Sequence, residues 1–202
     1  MTTTILQLNN SIFGDEGKSS ILANSFVEKL QTLHSAQVIR RDLSKEPVRH
    51  LTAEYFSAAM TPKEKRTPKQ AQLAVEADTL VSELMAADLL VIGSPTYNFT
   101  ISSSLKAWFD TVARSGTTFR YTENGPEGLV RLKAYIFISS GGFYTGTNTD
   151  FQTQYIRHFL RFLGITDVEF TYLEGAAMGE DALSKGMKAA QERIQTLVHK
   201  VS

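Results

Sequence analysis

Three short segments carry the residue types from which a ligand site could be built. They are Asn10–Ser20, Thr96–Phe99 and Ser139–Tyr144, and all three are rich in Ser, Thr, Asn and Gly. None holds a cluster of carboxylates, and the four histidines are scattered elsewhere. Neutral hydroxyls, amides and backbone N–H groups suit a preformed organic ligand better than a metal ion or a hydrolytic triad. The residue types therefore predict a site for an organic ligand, with no metal.

The first segment could bind a phosphate. Its central run is Gly14-Asp15-Glu16-Gly17-Lys18-Ser19-Ser20. The phosphate loop of nucleotide hydrolases places four residues between its glycines, but here only two separate Gly14 from Gly17. No aspartate ends the apolar run Leu89–Ile92 to hold magnesium, so nucleotide hydrolysis is disfavoured. Two interpretations stay open: N–H groups of Gly17, Lys18 and Ser19 bind one phosphate at a helix N-terminus, or Ser19 only caps that helix.

The other two segments offer groups that could hold a planar ring. Asn98 has a donor and an acceptor in one amide, which can read the edge of a heterocycle. Gly141 and Gly142 let the backbone lie close against a flat ligand. Aromatic candidates to line or cover that ligand are Phe99, Phe119, Tyr121, Phe143 and Phe162. For each ring taken singly, packing in the core is the alternative.

The stretch Leu89–Leu105 indicates which elements position these segments. Leu89–Ile92 is apolar without alternation, which is typical of a strand buried on both faces of a parallel sheet. Gly93-Ser94-Pro95 ends that strand, and Ser102–Ser104 offer N-caps for a helix. The helix is predicted to bury one face, formed by Leu105, Trp108, Phe109 and Val112.

Strands and helices alternate along the whole chain. Five strands are predicted, at Thr4–Leu8, Gln37–Arg41, Leu89–Gly93, Lys133–Ser139 and Val168–Tyr172. Helices are predicted after a cap at Ser19 or Ser20, and over Ala53–Met60, Gln70–Ala86, Ser102–Arg114, Phe151–Leu163 and Asp181–Val201. Residues 42–68 and 116–132 are excursions from this pattern. The alternation predicts an α/β fold: one doubly wound parallel sheet, helices on both faces, and a single domain over residues 1–202. Loops after strands one, three and four then meet at one edge, which brings the three segments together.

Composition excludes several classes of function. Lys plus Arg and Asp plus Glu are 21 each, so the net charge is zero, which argues against nucleic acid or a membrane surface as partner. The absence of cysteine excludes disulfides and thiol catalysis. There is no signal-peptide pattern, and no apolar run approaches the roughly 20 residues that cross a bilayer. The expectation is a soluble cytoplasmic protein.

Two further patterns concern surfaces. A cationic cluster is predicted to be a solvated face rather than a phosphate site, and consists of Lys63, Lys65, Arg66 and Lys69. The helix Phe151–Leu163, which Gly164 is predicted to close, has two apolar stripes, Tyr155/Phe159/Phe162 and Ile156/Leu160/Leu163. One sheet covers one stripe, so the second either faces a partner subunit or belongs to a deeply buried helix.

Four runs of sequence resemble a known family. They are Ser94-Pro95-Thr96-Tyr97-Asn98-Phe99, residues 118–129 (TFRYTENGPEGL), Ser139-Ser140-Gly141-Gly142 and Gly164-Ile165-Thr166-Asp167. Together they resemble the bacterial FMN-dependent NADH azoreductases, a family also described as NADH:quinone oxidoreductases and formerly labelled acyl carrier protein phosphodiesterase. The resemblance extends over nearly the whole chain, and the run 118–129 is its most specific part.

The resemblance implies a flavodoxin-like fold with strand order 2-1-3-4-5, and a homodimer with a flavin site near each end of its interface. It implies that the FMN phosphate is held by Ser11, Gly17, Lys18 and Ser19. The ring and ribityl chain would contact Thr96, Tyr97, Asn98 and Phe99. The other edge of the ring would lie along Ser139, Ser140, Gly141 and Gly142. No residue is assigned to catalysis with certainty, and the substrate-pocket candidates are Phe99, Phe119, Tyr121 and Phe162.

Four positions depart from the family pattern, namely Gly17, Lys18, Thr96 and Ser140. Gly17-Lys18-Ser19 stands where better-known members tend to carry Ser-Gln-Ser, which removes one hydroxyl and adds one charge. Thr96 stands where methionine is common, and Ser140 where arginine is common. We expect the last two changes to alter substrate preference rather than flavin binding.

The implied activity is reduction of quinones and azo compounds by ping-pong two-electron (hydride) transfer from NADH through FMN. NADPH stays open as a donor, because no ribose-reading acid or arginine can be placed. The proton would come from water or Tyr121. The alternative is a flavodoxin-type electron carrier that binds FMN without turnover of its own. Zero net charge argues against a carrier, because it gives little electrostatic steering.

Overall fold

The computed structural model describes residues 2–201 as alternating strands and helices. The strands are β1 (Thr3–Asn9), β2 (Ala36–Asp42), β3 (Leu89–Pro95), β4 (Phe119–Thr122), β5 (Gly125–Gly128), β6 (Lys133–Ser139) and β7 (Val168–Leu173). The helices are α1 (Lys18–Leu33), α2 (Ala53–Met60), α3 (Pro68–Ala86), α4 (Ser103–Val112), α5 (Phe151–Leu163) and α6 (Glu180–Val198). The predicted bounds of α2, α5 and β6 are confirmed, and the other predicted elements differ only at their ends.

Five of the strands form one parallel sheet. Its order is β2-β1-β3-β6-β7, so the α/β fold with a parallel sheet is confirmed. Numbering only these five strands along the chain is consistent with the predicted order 2-1-3-4-5. The carboxyl ends of β1, β3 and β6 are therefore neighbours, which is the condition for the three loops to meet.

The second excursion contains an antiparallel hairpin, β4–β5, that the sequence pattern did not predict. β5 reads Gly-Pro-Glu-Gly, and these residue types are depleted in strands, so no local signal marks it. Its extended state comes from pairing, with Phe119 opposite Gly128 and Thr122 opposite Gly125. A Cβ on Gly128 would lie 2.0 Å from the backbone nitrogen of Gly164. The hairpin is thus fixed against the C-terminal end of α5.

Helices cover both faces of the sheet. On one face α1 and α6 enclose a cluster that includes Phe26, Tyr135 and Phe137. On the other, α3, α4 and α5 enclose a cluster around Trp108 and Phe109. All seven residues of β3 are buried between these clusters, as its unbroken apolar run predicted. Within residues 2–201, no helix has both the length and the apolar character required to span a bilayer.

Helix α5 presents its two apolar stripes differently. Ile156, Leu160 and Leu163 are fully buried against the sheet, and Gly164 ends the helix in the left-handed conformation, with φ of 98°, as predicted. The Tyr155/Phe159/Phe162 stripe is only partly buried, and Phe159 stacks on Phe109 of α4 at 4.1 Å between ring centroids. The prediction that one stripe covers the sheet is confirmed, and the second stripe remains partly open at the surface.

The prediction of a solvated cationic face is wrong for one of its members. The side chain of Arg66 is only 6% exposed and lies 2.5 Å from Asp78 of α3. Arg114, at the end of α4, lies 2.5 Å from the other oxygen of the same carboxylate. Burial favours the neutral form of Asp78, but hydrogen bonds from both arginines outweigh burial and hold the pKa of Asp78 below its ordinary 3.8. The charge run gives no sign of this role of Arg66, because the partner Asp78 lies 12 residues further along the chain.

We expect Asp78→Asn to lower the free energy of unfolding at pH 7 by about 3–5 kcal/mol, because two largely buried guanidinium groups lose their charge partner. A lowered folded-state pKa means that the contribution of Asp78 is complete above the unfolded pKa of about 4 and is lost as pH falls through the folded value. Urea unfolding at pH 7 and pH 3 should therefore show a smaller difference at pH 3.

The matched control for this substitution is Asp167→Asn. Asp167 pairs with Lys133 at 3.4 Å, but its side chain is 62% exposed. An exposed ion pair contributes about 0–1 kcal/mol, so this variant should unfold nearly as the wild type does. Equal losses in the two variants would contradict the structural role of Asp78.

Candidate functional site

The three predicted loops lie together at the carboxyl edge of the sheet. Asn9 at the end of β1 pairs with Gly93 of β3, and Pro95 at the end of β3 pairs with Ser139 of β6. The N–H of Thr96 donates to the carbonyl of Ser139 at 2.8 Å. The prediction that these segments meet is confirmed, and the second and third loops are directly bonded.

The first loop ends at an uncapped helix. Residues 14–16 form a single 3-10 turn, and Gly17 is the N-cap of α1, without a side-chain hydrogen bond to the helix. The prediction that Ser19 or Ser20 caps α1 is wrong, because both lie inside its first turn. Their hydroxyls are fully buried and have no hydrogen-bond partner within the described chain. The first N–H groups of α1 and two hydroxyls are thus left without protein acceptors.

Gly17 is required by a close contact within this loop. Its φ of −63° is open to any residue, but a Cβ here would lie 2.1 Å from the hydroxyl oxygen of Ser11. That hydroxyl accepts a hydrogen bond from the N–H of Phe13 at 3.2 Å. The phenol oxygen of Tyr97 accepts from the N–H of Ile12 at 3.1 Å, which joins the first loop to the second.

Acidic groups beside the first loop are paired with a cation. Lys45 lies 3.6 Å from Asp15 and 3.2 Å from Asp42. Burial opposes ionisation of Asp42, but hydrogen bonds from Ser44 and Lys45 outweigh it and hold the pKa of Asp42 below its ordinary value. The pKa of Lys45 is raised by its hydrogen bond to Asp42 and by the charges of both acids. This pairing reduces the repulsion that an anion at the start of α1 would meet.

The second loop is a strained two-residue turn. Tyr97 and Thr100 exchange two backbone hydrogen bonds, of 2.9 and 3.1 Å. Asn98 and Phe99 between them have φ of 47° and 71°, and are the only non-glycine residues with positive φ in the described chain. This corresponds to a type I′ turn, which asparagine tolerates and phenylalanine does not favour. In this turn Phe99 is 57% exposed. Its ring and that of Tyr144 make an edge-to-face contact, with 6.1 Å between ring centroids.

We expect Phe99→Gly to raise the free energy of unfolding by about 1 kcal/mol, because glycine adopts positive φ without the steric cost that an L-residue meets. Urea unfolding measures this change. Phe99→Ala is the matched control, since alanine removes the exposed ring but keeps the strain, and it should give no gain. A gain of the same size in both variants would show that removal of the exposed ring, rather than relief of strain, is responsible.

The third loop has free amides and internally bonded side chains. The N–H groups of Gly141 and Gly142 find no acceptor within the described residues. The hydroxyl of Ser140 donates to the carbonyl of Gly142 at 2.8 Å, and the hydroxyl of Thr96 donates to Gln152 at 2.5 Å. At Thr96 and Ser140, two of the positions that depart from the family pattern, the side chain is therefore hydrogen-bonded within the protein.

Buried Gln152 is a positioning residue that sequence reasoning missed. It is 2% exposed and lies near the start of α5. Besides accepting from Thr96, its amide donates to the hydroxyl of Ser94 at 2.9 Å. It therefore fixes the point where β3 passes into the second loop. No motif in the sequence marks it, because its partners are 56 and 58 residues away.

The aromatic pocket candidates divide into two groups. Phe99 contacts Tyr144 of the third loop. The ring of Phe119 instead contacts those of Tyr121 and Phe162, at 5.4 and 4.5 Å between ring centroids. Phe162 lies one residue before the end of α5, about 16 Å along the helix from its start beside the third loop. Phe119 is buried, and Tyr121 is 74% exposed. One chain therefore does not bring the four candidates into a single pocket.

A cleft of about 840 Å³ opens beside the second loop. Its lining includes Tyr97, Asn98 and Tyr155 together with Ile12, Leu43 and Pro47. None of its lining residues belongs to the glycine loop at 139–142, so the free amides of that loop lie outside the cleft. The cleft leads from the second loop to Tyr155, where the open stripe of α5 begins.

Comparison with known proteins agrees with this geometry. Residues 3–198 match a family model described as flavodoxin-like fold, so the chain is a flavodoxin-like protein by class. A 47% identical relative is FMN-dependent NADH:quinone oxidoreductase 6 of Burkholderia lata, aligned over 95% of this chain and 98% of the relative. FMN-dependent NADH:quinone oxidoreductase of Paraburkholderia phymatum is 48% identical over the same shares. The chain belongs to the family of FMN-dependent NADH:quinone oxidoreductases.

Solved structures support the same fold. The azoreductase of Bacillus anthracis str. Sterne superposes with a TM-score of 0.88 at 24% identity, over 98% of this chain and all of that one. Azoreductase AzrA superposes with a TM-score of 0.88 at 25% identity and with the same coverage of both chains. A third match, an FMN-dependent NADH-azoreductase of Bacillus anthracis str. Ames Ancestor in complex with FMN, gives 0.84 at 23% identity, over 97% of this chain and all of that one. The family resemblance stated from the sequence is confirmed.

Proposed function

We propose that this chain is an FMN-dependent oxidoreductase that reduces quinones and azo compounds with electrons from NADH. The observation that carries the proposal is the edge of the sheet where the start of α1 and the loop at 139–142 have backbone N–H groups without acceptors within residues 2–201. The relatives at 47% and 48% identity are named for FMN, NADH and quinone, and AzrA is named as an azoreductase. Because NADH is a cytoplasmic reductant, we place the activity in the cytoplasm.

The phosphate of FMN fits the start of α1. The buried, unpartnered hydroxyls of Ser19 and Ser20 and the first amides of the helix would donate to it. No acidic residue lies in the first turn of α1, and Lys18 there adds one positive charge. The absence of a side chain at Gly17 lets Ser11 lie directly against the start of α1, because a Cβ there would be 2.1 Å from the Ser11 hydroxyl oxygen. These groups match the donors that a dianionic phosphate requires.

The ring of FMN fits the second and third loops. The amides of Gly141 and Gly142 would donate to the polar edge of the ring, with Ser139 and Ser140 beside them. The side-chain amide of Asn98 would form hydrogen bonds with an edge of the ring. The ring and ribityl chain would also contact Tyr97, Thr96 and Phe99. The strain at Asn98 and Phe99 supports this role, since strained turns concentrate at ligand sites.

FMN supplies the hydride chemistry when bound, and the chain supplies binding, orientation and exclusion of water. NADH and the acceptor would use one apolar slot in turn, which predicts ping-pong kinetics. Donors at Gly141 and Gly142 would stabilise the negative charge that reduction places on the ring edge. Water or the hydroxyl of Tyr121 would deliver the proton.

We propose a homodimer in which each chain completes the site of the other. Phe119, Tyr121 and Phe162 are separated from the flavin loops of their own chain by most of the length of α5. The partly open stripe Tyr155/Phe159/Phe162 runs between the cleft at Tyr97 and the hairpin. A second chain packed on this stripe would cover it and bring its hairpin to the loops of the first.

The proposal is tested by reconstitution and turnover. The purified protein, incubated with FMN, should gain the flavin absorbance bands, and it should oxidise NADH continuously when benzoquinone or an azo dye is supplied. A flavodoxin-type carrier would bind FMN but show almost no steady oxidation of NADH. Absence of flavin binding after incubation would overturn the proposal.

A further inference from the structure

The glycine loop is held from behind by the segment between β7 and α6. The carbonyls of Ser140, Gly141 and Gly142 accept hydrogen bonds from the backbone N–H groups of Ala176, Ala177 and Gly175, at 3.0, 3.1 and 3.0 Å. The N–H of Ser140 donates to the carbonyl of Leu173 at 2.9 Å. Every carbonyl of this part of the loop is therefore directed towards residues 175–177.

The direction of the carbonyls determines the direction of the amides. In a planar trans peptide, the N–H of one residue points opposite to the carbonyl of the residue before it. The N–H groups of Gly141, Gly142 and Phe143 must therefore point away from residues 175–177. These three N–H groups have no acceptor within residues 2–201, so they are the donors that a ligand on the open side of the loop would meet.

Glu174 fixes the end of the loop. One oxygen of its carboxylate accepts from the N–H of Tyr144 at 2.5 Å and from the N–H of Thr145 at 2.8 Å. Glu174 forms no ion pair within the described chain. Its carboxylate accepts hydrogen bonds from these two amides instead. Hydrogen bonds from backbone N–H groups to a carboxylate are stronger than neutral ones.

The residue after Glu174 is fixed as well. Gly175 has φ of 71°, and a Cβ there would lie 2.6 Å from the ring of Phe143. The ring covers the backbone of Gly175, so the loop is held at Phe143 by packing and at Tyr144 by hydrogen bonding. Loop and segment therefore form one unit with two independent attachments.

We propose that Glu174 is a positioning residue: it aligns the amides of Gly141, Gly142 and Phe143, and thereby sets how strongly the site prefers reduced over oxidised FMN. The proposal rests on the proposed FMN site. Negative charge develops on the ring edge upon reduction, so aligned donors stabilise the reduced form more than the oxidised form. Loss of alignment should then weaken binding of reduced FMN most.

Two substitutions at this position separate geometry from charge. Glu174→Gln keeps an oxygen at the same reach and removes the charge. Glu174→Asp keeps the charge but is one methylene shorter, so its carboxylate no longer reaches both N–H groups. Glu180→Ala is the control, since Glu180 is exposed, lies six residues further along and makes no hydrogen bond to the loop.

Amide hydrogen exchange of the FMN-free protein reports the attachment itself. We expect exchange at Tyr144 and Thr145 to accelerate about tenfold or more in Glu174→Asp, which corresponds to about 1.4 kcal/mol of lost protection. Glu180→Ala should stay close to the wild type, and Glu174→Gln should change exchange less than Glu174→Asp does, because its amide oxygen keeps both hydrogen bonds in the weaker, neutral form. Unchanged exchange in Glu174→Asp would overturn the proposal, and this result does not depend on whether the protein binds FMN.

The preference of the site for reduced over oxidised FMN is measured by the midpoint potential of bound FMN, compared with that of free FMN. In Glu174→Asp, the ratio of affinities for reduced and oxidised FMN should fall about tenfold, which lowers the two-electron potential by about 30 mV. In Glu174→Gln the potential should equal or exceed the wild-type value, because a nearby negative charge has been removed. A wild-type potential in Glu174→Asp, or an equal fall in both variants, would contradict a positioning role. Failure of the wild type to bind FMN would instead overturn the proposed function.

Discussion

Gly17→Ala should reduce the affinity for FMN at least a hundredfold. The new methyl group would lie 2.1 Å from the hydroxyl oxygen and 2.4 Å from the Cβ of Ser11, so either Ser11 or the start of α1 must move. Both are proposed phosphate donors, and a hydrogen bond to a charged group contributes about 1.5–3 kcal/mol, so the loss of two or more corresponds to at least a hundredfold. A fluorescence titration of FMN into the FMN-free protein measures the loss.

A second substitution identifies the clash as the cause. In Ser11→Gly/Gly17→Ala the side chain that meets the new methyl group is gone, so α1 can keep its position. We expect this double variant to bind FMN about as well as Ser11→Gly alone, which loses one hydrogen bond to a charged group and should bind roughly tenfold more weakly than the wild type. If the double variant bound as weakly as Gly17→Ala, the contact with Ser11 would not be the reason for the glycine.

A dimer with one defect in each chain should regain activity that neither parent has. Tyr121→Ala leaves the flavin loops intact, and removes a ring that is 74% exposed, so the fold should be unaffected. We expect its kcat/KM for benzoquinone to fall tenfold or more, because a stacking surface for the acceptor is lost. Gly17→Ala has an intact hairpin, and at an FMN concentration that just saturates the wild type its weakened site should stay largely empty.

Heterodimers of these two variants, isolated with two different affinity tags, contain one chain of each kind. If Tyr121 serves the partner's site, one of the two sites is fully intact, and activity should reach about half that of the wild type. If Tyr121 serves its own chain, both sites are defective, and activity should stay at the level of the parents. Heterodimers of wild type and Gly17→Ala should reach about half in either case. A monomeric wild type in sedimentation analysis would refute the arrangement altogether.

Patterns within one element were enough to predict most of the secondary structure. The apolar run at Leu89–Ile92 predicted a strand buried on both faces, and β3 is buried throughout. The sequence offered Ser102, Ser103 and Ser104 as N-caps of the following helix, and Ser102 caps it, since its hydroxyl accepts from the N–H of Leu105. The left-handed Gly164 was predicted to end α5 and does so. Each of these features depends on residues within a few positions of one another, where the periodicity of strand or helix fixes which side chains are neighbours.

Predictions failed where the deciding partner is distant in sequence or where a residue type has more than one use. Arg66 belongs to a charge run of a kind that is usually solvated, but its side chain is buried and pairs with Asp78, which Arg114 also contacts. Ser19 has the residue type of an N-cap, but the backbone enters α1 at Gly17. Strand β5 has no local strand signal and exists only because β4 pairs with it.

The sequence by itself determined the class of fold, the three loops and the family, because these depend on local pattern and on motifs in fixed order. Only the tertiary structure decided that Gly17 must lack a side chain and that Glu174 bonds to the glycine loop. It also placed Phe119, Tyr121 and Phe162 together near the C-terminal end of α5, far from the three loops of their own chain. The physical reason is that hydrogen bonds and steric contacts act through space over a few ångströms. The partners of Glu174 are 29 and 30 residues away in the chain, and no sequence period records such a distance.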